Sequence, residues 1–163
     1  MGQELTSLFP DLVGKLRVQT RAGRSRIWAE APQSCFREVL NHAFTAQGFS
    51  HLCTITGLDQ GETLVFIYHM ARPDGIVLCL KTSVPKSAAV IRTVSDIFPG
   101  GVLYERELVD LLGAQVEGLP PGKRYPLPDD WPAGQHPLRK DWKPEGSAGP
   151  DSSPNEGEEV ENG

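Results

Sequence analysis

The chain has 163 residues, of which 39% are hydrophobic, and this is enough for one compact domain with an extension. Its net charge of −5 arises in residues 144–163, which hold six acids and no base, so residues 1–143 are almost neutral. An almost neutral body argues against a dedicated nucleic-acid binder, and no apolar run approaches the roughly 20 residues of a direct membrane span. We therefore expect a cytosolic chain unless a partner holds it at a membrane.

The first elements of the chain are short. Residues 4–13 have apolar positions at roughly helical spacing and predict a helix. Two β-rich runs, 15–20 and 26–30, are joined by a short polar turn and predict an antiparallel hairpin. Apolar residues then recur at i, i+3, i+4 and i+7 within residues 33–49, which predicts a helix with Gly48 at its C-terminal end.

Three β-rich runs follow, at residues 51–58, 63–70 and 75–83, and predict an antiparallel meander. The second and third are continuously apolar at their centres, as is typical of strands that are central in a sheet or covered on both faces. Residues 87–98 and 102–112 then predict two helices. This order predicts a two-layer α+β domain, in which a mainly antiparallel or mixed sheet packs on helices.

A proline-rich segment follows the predicted domain, which spans residues 1–112. Residues 113–143, here called the arm, lose all periodicity and contain six prolines, yet they carry Trp131, Trp142 and several basic residues. This composition fits either an extended arm that docks on a partner or an arm folded back over its own domain. The acidic residues 144–163 are almost without hydrophobic side chains and predict a disordered tail.

The spacing of cysteines and histidines predicts no metal or cluster site. The three cysteines form no Cys-x-x-Cys pair, and the four histidines lack both i, i+4 and short-loop spacing. We expect the thiols to be reduced core residues. The residues concerned are Cys35, Cys53, Cys79, His42, His51, His69 and His136.

No segment matches a catalytic motif. Arg106, Glu107 and Asp110 share one polar arc of the predicted helix 102–112, and such a cluster fits a solvated face, an ion-pair network or paired catalytic carboxylates. The sequence GLPPGKR at 118–124 is not a phosphate-binding loop, because it has three rather than four residues between its glycines and no Ser or Thr after the Lys. We therefore assign no catalytic residue.

A series of short motifs begins in the last predicted helix and continues along the arm. In order they are Glu-Arg-Glu at 105–107, Asp110, Gly113, Glu-Gly at 117–118, Pro-Asp-Asp-Trp at 128–131 and His-Pro-Leu-Arg-Lys-Asp at 136–141. This series closely resembles the signature region of the 30-kDa subunit family of respiratory complex I, the NADH:quinone oxidoreductase. It also resembles the related subunit of energy-converting, membrane-bound NiFe hydrogenases.

The resemblance implies a cofactor-free, non-catalytic, hydrophilic subunit that docks on a hydrogenase-like large subunit and on iron–sulfur subunits. Iron–sulfur clusters, and in a hydrogenase a NiFe centre, would belong to those partners. The protein would lie on the cytoplasmic face of the membrane, held there only through its partners. An alternative is a freestanding α+β adaptor or small enzyme whose C-terminal part merely resembles this family.

The resemblance also implies roles for individual residues. The charged residues of the last helix would be contacts that fix the start of the arm, and aromatic and basic residues of the arm would anchor it on partners. We further expect the α+β body to fold alone and the arm to order only on its partners. The implied interface residues are Glu105, Arg106, Glu107, Asp110, Trp131, His136, Arg139, Lys140, Asp141 and Trp142.

Three positions depart from the complex I pattern. Leu119 stands where His is usual, Leu112 where an aromatic residue is common, and Trp142 where Tyr or Phe is usual. The short length and the sequence of residues 118–131 also look more like the hydrogenase-associated branch. The resemblance therefore slightly favours that branch.

Overall fold

The computed structural model describes the backbone of residues 17–23 and all atoms of residues 25–144. The predicted helix at residues 4–13 and the acidic tail from residue 145 onward lie outside the described residues.

Five strands form one mixed sheet, in the order β1-β2-β5-β4-β3. The strand β2 runs parallel to β5, and the other neighbouring strands are antiparallel. The predicted hairpin (β1–β2) and meander (β3–β4–β5) are confirmed, and the two continuously apolar runs are the central strands β4 and β5. The strands are β1 (Arg17–Gly23), β2 (Arg26–Glu30), β3 (His51–Asp59), β4 (Thr63–Ala71) and β5 (Val77–Pro85).

Two helices, α1 (Gln33–Thr45) and α2 (Gly101–Leu112), pack on one face of this sheet. The ring of Phe36 on α1 lies 4.8 Å from the ring of Tyr68, measured between centroids. Tyr68 pairs with Ile55 across β4 and β3, so both side chains point to the face that α1 covers. The two-layer α+β prediction is confirmed.

Gly57 on β3 determines how closely α2 approaches the sheet. Gly57 follows Ile55 by two residues and therefore faces the same side of the strand. A β-carbon at Gly57 would lie 2.3 Å from Cδ1 of Leu112 and 2.7 Å from Cδ2 of Leu108. The missing side chain lets both leucines pack directly on the β3 backbone, and this contact fixes the position of α2.

The prediction of a helix at residues 87–98 is wrong. A single 3-10 turn (Lys86–Ala88) leads there into a short strand, β6 (Val90–Arg92), which pairs in parallel with β7 (Gln115–Glu117). The segment is rich in β-branched residues, which lose side-chain freedom in a helix and favour strands. The strand β7, with which β6 pairs, follows α2 in the sequence, so a pattern of neighbouring residues could not predict this pairing.

Within the described part of the protein, no helix is long and apolar enough to cross a membrane. Within the same residues, no group of three or more His, Cys, Asp or Glu side chains is arranged to hold a metal ion. The three cysteines are unpaired, and Cys35 and Cys79 are buried while Cys53 is half-buried.

Candidate functional site

Arg106 on α2 binds residues 120–123 of the arm. Its guanidinium donates hydrogen bonds to the carbonyl oxygens of Pro120 (3.2 Å), Pro121 (3.1 Å) and Lys123 (3.1 Å). The backbone can wrap this closely because residue 122 is glycine: a β-carbon there would lie 1.8 Å from Nη2 of Arg106. One cation thus binds three carbonyl groups of a segment whose prolines have no N–H to donate.

Asp110 lies one helical turn further along α2 and binds the next part of the arm. Its buried carboxylate accepts hydrogen bonds from Nε of Arg124 and from the backbone N–H of Leu127, both at 3.2 Å. Arg124 in turn donates through Nη1 to the carbonyl oxygen of Trp131 at 2.7 Å. The Asp110–Arg124 pair therefore links α2 to the middle of the arm.

The C-terminal cap of α2 begins at Gly113, which has a left-handed φ of 66°. Its N–H donates to the carbonyl oxygen of Val109 (3.0 Å), and the N–H of Ala114 donates to that of Leu108 (3.2 Å). This is the pattern with which glycine commonly ends a helix, and it satisfies two of the carbonyl groups that the last turn leaves unpaired.

The next three carbonyl groups of α2 are capped by the arm itself. His136 donates through Nδ1 to the carbonyl oxygen of Asp110 at 2.9 Å. The N–H of Leu138 donates to the carbonyl oxygen of Leu111 at 3.0 Å, and Nε of Arg139 donates to the carbonyl oxygen of Leu112 at 2.7 Å. The His-Pro-Leu-Arg motif thus caps a helix end within its own chain, where a cation is also favoured by the helix dipole.

The last part of the arm is bound by Asp59, at the end of β3. The buried carboxylate of Asp59 accepts hydrogen bonds from the N–H of Gly61 (2.7 Å), Nζ of Lys86 (2.7 Å) and the N–H of Lys140 (2.9 Å). Nζ of Lys86 also lies 2.8 Å from Oδ1 of Asp141. Burial alone would raise the pKa of Asp59, but these donors outweigh it and lower that pKa to about 2.

Asp59 and Lys86 are site residues that the sequence analysis missed. The Asp-x-Gly pattern at 59–61 signals a local turn, in which the carboxylate accepts the N–H of Gly61. Nothing local signals that the same carboxylate also binds a residue of the arm. Only the fold brings Lys140 and Asp59 together.

Glu105 has a different role from the one that the resemblance implied, because its hydrogen bonds do not go to the arm. Its carboxylate is fully buried and accepts from Oγ1 of Thr93 and from the N–H of Val94, both at 2.6 Å. Burial raises the pKa of Glu105. Arg37 also binds the carbonyl oxygen of Thr93 and forms an ion pair with Asp96. Glu105 thus holds the segment that leads into α2.

The two tryptophans of the arm pack on each other. The centroids of the Trp131 and Trp142 rings lie 6.0 Å apart. The indole N–H of Trp131 donates to the backbone carbonyl oxygen of Gln135 at 3.0 Å, and that of Trp142 donates to the side-chain Oε1 of Gln135 at 3.2 Å. Both rings are half-buried. The exposed apolar side chains of the arm are instead Tyr125 and Leu138, with 45% and 53% of their surface accessible.

These contacts suit binding better than acid–base chemistry. The Asp59 carboxylate, with its lowered pKa, is a weak base, and Asp110 is held by a guanidinium. Glu105 has the raised pKa of a candidate general acid, but none of its surface is accessible to a substrate. Glu107 is half-buried on α2, and Lys140 and Asp141 are exposed. A role of the ten residues in contacts with other subunits stays a prediction.

Comparison with known proteins identifies relatives over most of the chain. Residues 29–148 match the family model described as the respiratory-chain NADH dehydrogenase 30 Kd subunit. The membrane-bound hydrogenase subunit beta of Pyrococcus furiosus is 33% identical over 125 residues, which are 74% of this chain and 72% of the relative. The C subunit of the NADH-quinone oxidoreductase of Moorella thermoacetica is 28% identical over 144 residues, 86% of this chain and 92% of the relative.

One solved structure with the same fold comes from the membrane-bound sulfane sulfur reductase, an archaeal respiratory membrane complex. Its matching chain superimposes with a TM-score of 0.76 at 25% sequence identity, over 87% of this chain and 85% of that one.

Proposed function

This chain belongs to the family of the 30-kDa subunit of the respiratory-chain NADH dehydrogenase, and we propose that it is a non-catalytic, cofactor-free structural subunit of a membrane-associated oxidoreductase complex. The family match over residues 29–148 carries the proposal. The relatives named above are subunits of NADH-quinone oxidoreductase and of a membrane-bound hydrogenase. The geometry of the site supports a non-catalytic role, because polar groups of the arm bind side chains of α2 and cap the C-terminal end of that helix.

The proposed partners are a hydrogenase-like large subunit and the iron–sulfur subunits of the same complex. Electron transfer then belongs to the iron–sulfur clusters of those partners and, in a hydrogenase, to a NiFe centre. The protein lies peripherally on the cytoplasmic face of the membrane through these contacts.

The arm supplies the proposed docking surface. In contrast to the expectation that the arm orders only on its partners, the arm is held by Arg106, Asp110 and Asp59 of its own chain, so we infer that its exposed surface is shaped before a partner binds. Tyr125 and Leu138 expose apolar surface on the arm. Exposed aromatic and aliphatic groups on a rigid support are typical of interface anchors, because ordering them on binding loses little entropy.

Within the family, the hydrogenase-associated branch is favoured. This preference is proposed on the resemblance of residues 118–131 to that branch, and a 33% identical hydrogenase subunit beta, that of Pyrococcus furiosus, is consistent with it. Leu112, Leu119 and Trp142 also depart from the complex I pattern.

The test is to isolate the tagged protein from native membranes in mild detergent, to identify accompanying subunits by mass spectrometry and to measure nickel. We expect one large particle that contains a hydrogenase-like large subunit, iron–sulfur subunits and nickel. The same large subunit without nickel, together with NADH-oxidising or quinone-site subunits, would assign the protein to complex I. Recovery alone from the soluble fraction would favour a freestanding adaptor and overturn the proposal.

A further inference from the structure

A cavity of about 210 Å³ lies between α2 and the first part of the arm. Here it is called the arm pocket. On the helix side it is lined by Arg106, Val109 and Asp110, and on the arm side by residues 119–125. Ligand pockets for whole small molecules have volumes of about 300 to 1,000 Å³, so this cavity suits a single side chain better than a nucleotide.

The arm pocket carries an excess of positive charge. Three cations line it, namely Arg106, Lys123 and Arg124, against one carboxylate, Asp110, which already pairs with Arg124. Among the described residues, no carboxylate forms an ion pair with Arg106 or Lys123. Within residues 25–144, the hydrogen-bond partners of Arg106 are carbonyl oxygens, which do not cancel its charge. Two positive charges therefore lack a counter-charge within the described part of the protein.

Arg106 is also held in place before any ligand arrives. A guanidinium has five N–H donors, and three hydrogen bonds to the arm fix its position. An anion that binds it would not have to immobilise a long flexible side chain, which removes one of the entropic costs of binding.

The other residues that line the arm pocket are mostly apolar. Val109, Leu119, Pro120 and Tyr125 are among them, and Tyr125 is 45% exposed. Apolar walls exclude water and strengthen a charge–charge contact, and they also pack against a hydrocarbon stem. A carboxylate on a short aliphatic stem matches both features of this pocket.

We propose that the arm pocket receives an aspartate or glutamate side chain of a partner subunit in the assembled complex. This inference rests on the proposed function and specifies where and by what chemistry the arm docks. The carboxylate would bind between the Arg106 guanidinium and the Lys123 ammonium, and its stem would lie against Tyr125.

The first test uses a charge reversal with a matched control. Lys123→Glu and Lys143→Glu make the same change of charge at two exposed lysines of the described residues, but only Lys123 lines the pocket. Each variant is introduced into the tagged protein in its native host, and the recovered complex is quantified. Lys123→Glu should lower the recovery of partner subunits about tenfold relative to Lys143→Glu, because it places like charges together.

The second test identifies the carboxylate. The purified wild-type complex is treated with a carbodiimide, which joins a lysine amine to a carboxylate in direct contact, and cross-linked peptides are sequenced by mass spectrometry. We expect a link from Lys123 to an aspartate or glutamate of a co-purified subunit.

The outcomes separate the two proposals. A complex that is recovered intact with Lys123→Glu, or a Lys123 link only to the protein's own residues 145–163, would overturn the pocket assignment and leave the subunit proposal standing. A wild-type protein that brings down no other subunit would overturn both proposals.

Discussion

The Arg106 guanidinium occupies the space that a side chain on Gly122 would need, since a β-carbon there would lie 1.8 Å from Nη2. The two residues therefore depend on each other. The guanidinium can bind the carbonyl groups of residues 120, 121 and 123 together because residue 122 presents bare backbone.

The first prediction tests this dependence. Gly122→Ala should displace the Arg106 side chain and lower the free energy of unfolding by about 1 to 3 kcal/mol, as Arg106→Ala should. The double variant should be no less stable than the worse single one, because each change removes the same contacts. Urea unfolding of the three variants measures this, and strictly additive losses would contradict it.

A second prediction concerns Gly113, at the end of α2. A β-carbon at Gly113 would lie 2.5 Å from Nε2 of His136, whereas Gly134, with a similar φ of 76°, has nothing within 4 Å. Gly113→Ala should therefore destabilise the fold by about 1 kcal/mol more than Gly134→Ala, which bears only the left-handed backbone strain. Thermal unfolding of both variants gives the difference. Equal losses would mean that His136 does not cap α2.

A third prediction concerns the buried carboxylate of Asp110. Asp110→Ala leaves Nε of Arg124 and the N–H of Leu127 without their acceptor and should cost about 2 to 4 kcal/mol in free energy of unfolding. Glu107→Ala, on the same helix but half-buried, should change stability by about 0.5 kcal/mol or less. Chemical unfolding checks both values, and similar losses would contradict the assigned role of Asp110.

A fourth prediction follows from the Asp59 pKa, which is lowered from 3.8 to about 2. A carboxyl group with a lowered pKa in the folded state stabilises the fold above its unfolded pKa, and this contribution is lost as pH falls through the folded pKa. Asp59→Asn should thus be less stable than wild type by about 1 to 2 kcal/mol at pH 7.

The difference from wild type should shrink between about pH 4 and pH 2. Thermal unfolding across this range measures it, with Asp130→Asn, at an exposed position of the arm, as the control for net charge. A difference that stays constant from pH 7 to pH 2 would contradict the lowered pKa of Asp59.

The sequence predicted the elements whose evidence is local. Helix α1 has a periodic apolar face, and the runs that became β4 and β5 are apolar at the centre because both strands are central. The strand β6 was missed because its pairing partner β7 comes after α2 in the sequence. A helical pattern in the residues around β6 is visible locally, whereas the pairing with a distant segment is not.

The sequence predicted which residues belong to the candidate site, but not which of them are in contact. The motif residues Arg106, Asp110, His136 and Arg139 were singled out by resemblance, and the structure shows that each binds backbone or side chains of the same chain. Which residue meets which depends on how the arm folds back along α2. The pairing of Asp59 with Lys140, 81 residues apart, follows from the fold alone.

Amide hydrogen exchange of the arm in the isolated protein is the most direct measurement of whether the arm is pre-shaped by its own domain. Its reporters are the N–H groups of Leu127, Leu138 and Lys140, which donate to Asp110, Leu111 and Asp59 respectively. We predict that all three are protected in the free protein and stay protected in the complex. Exchange at the rate of an unfolded peptide in the free protein, with protection only in the complex, would mean that the arm orders on its partners and would contradict a pre-shaped docking surface.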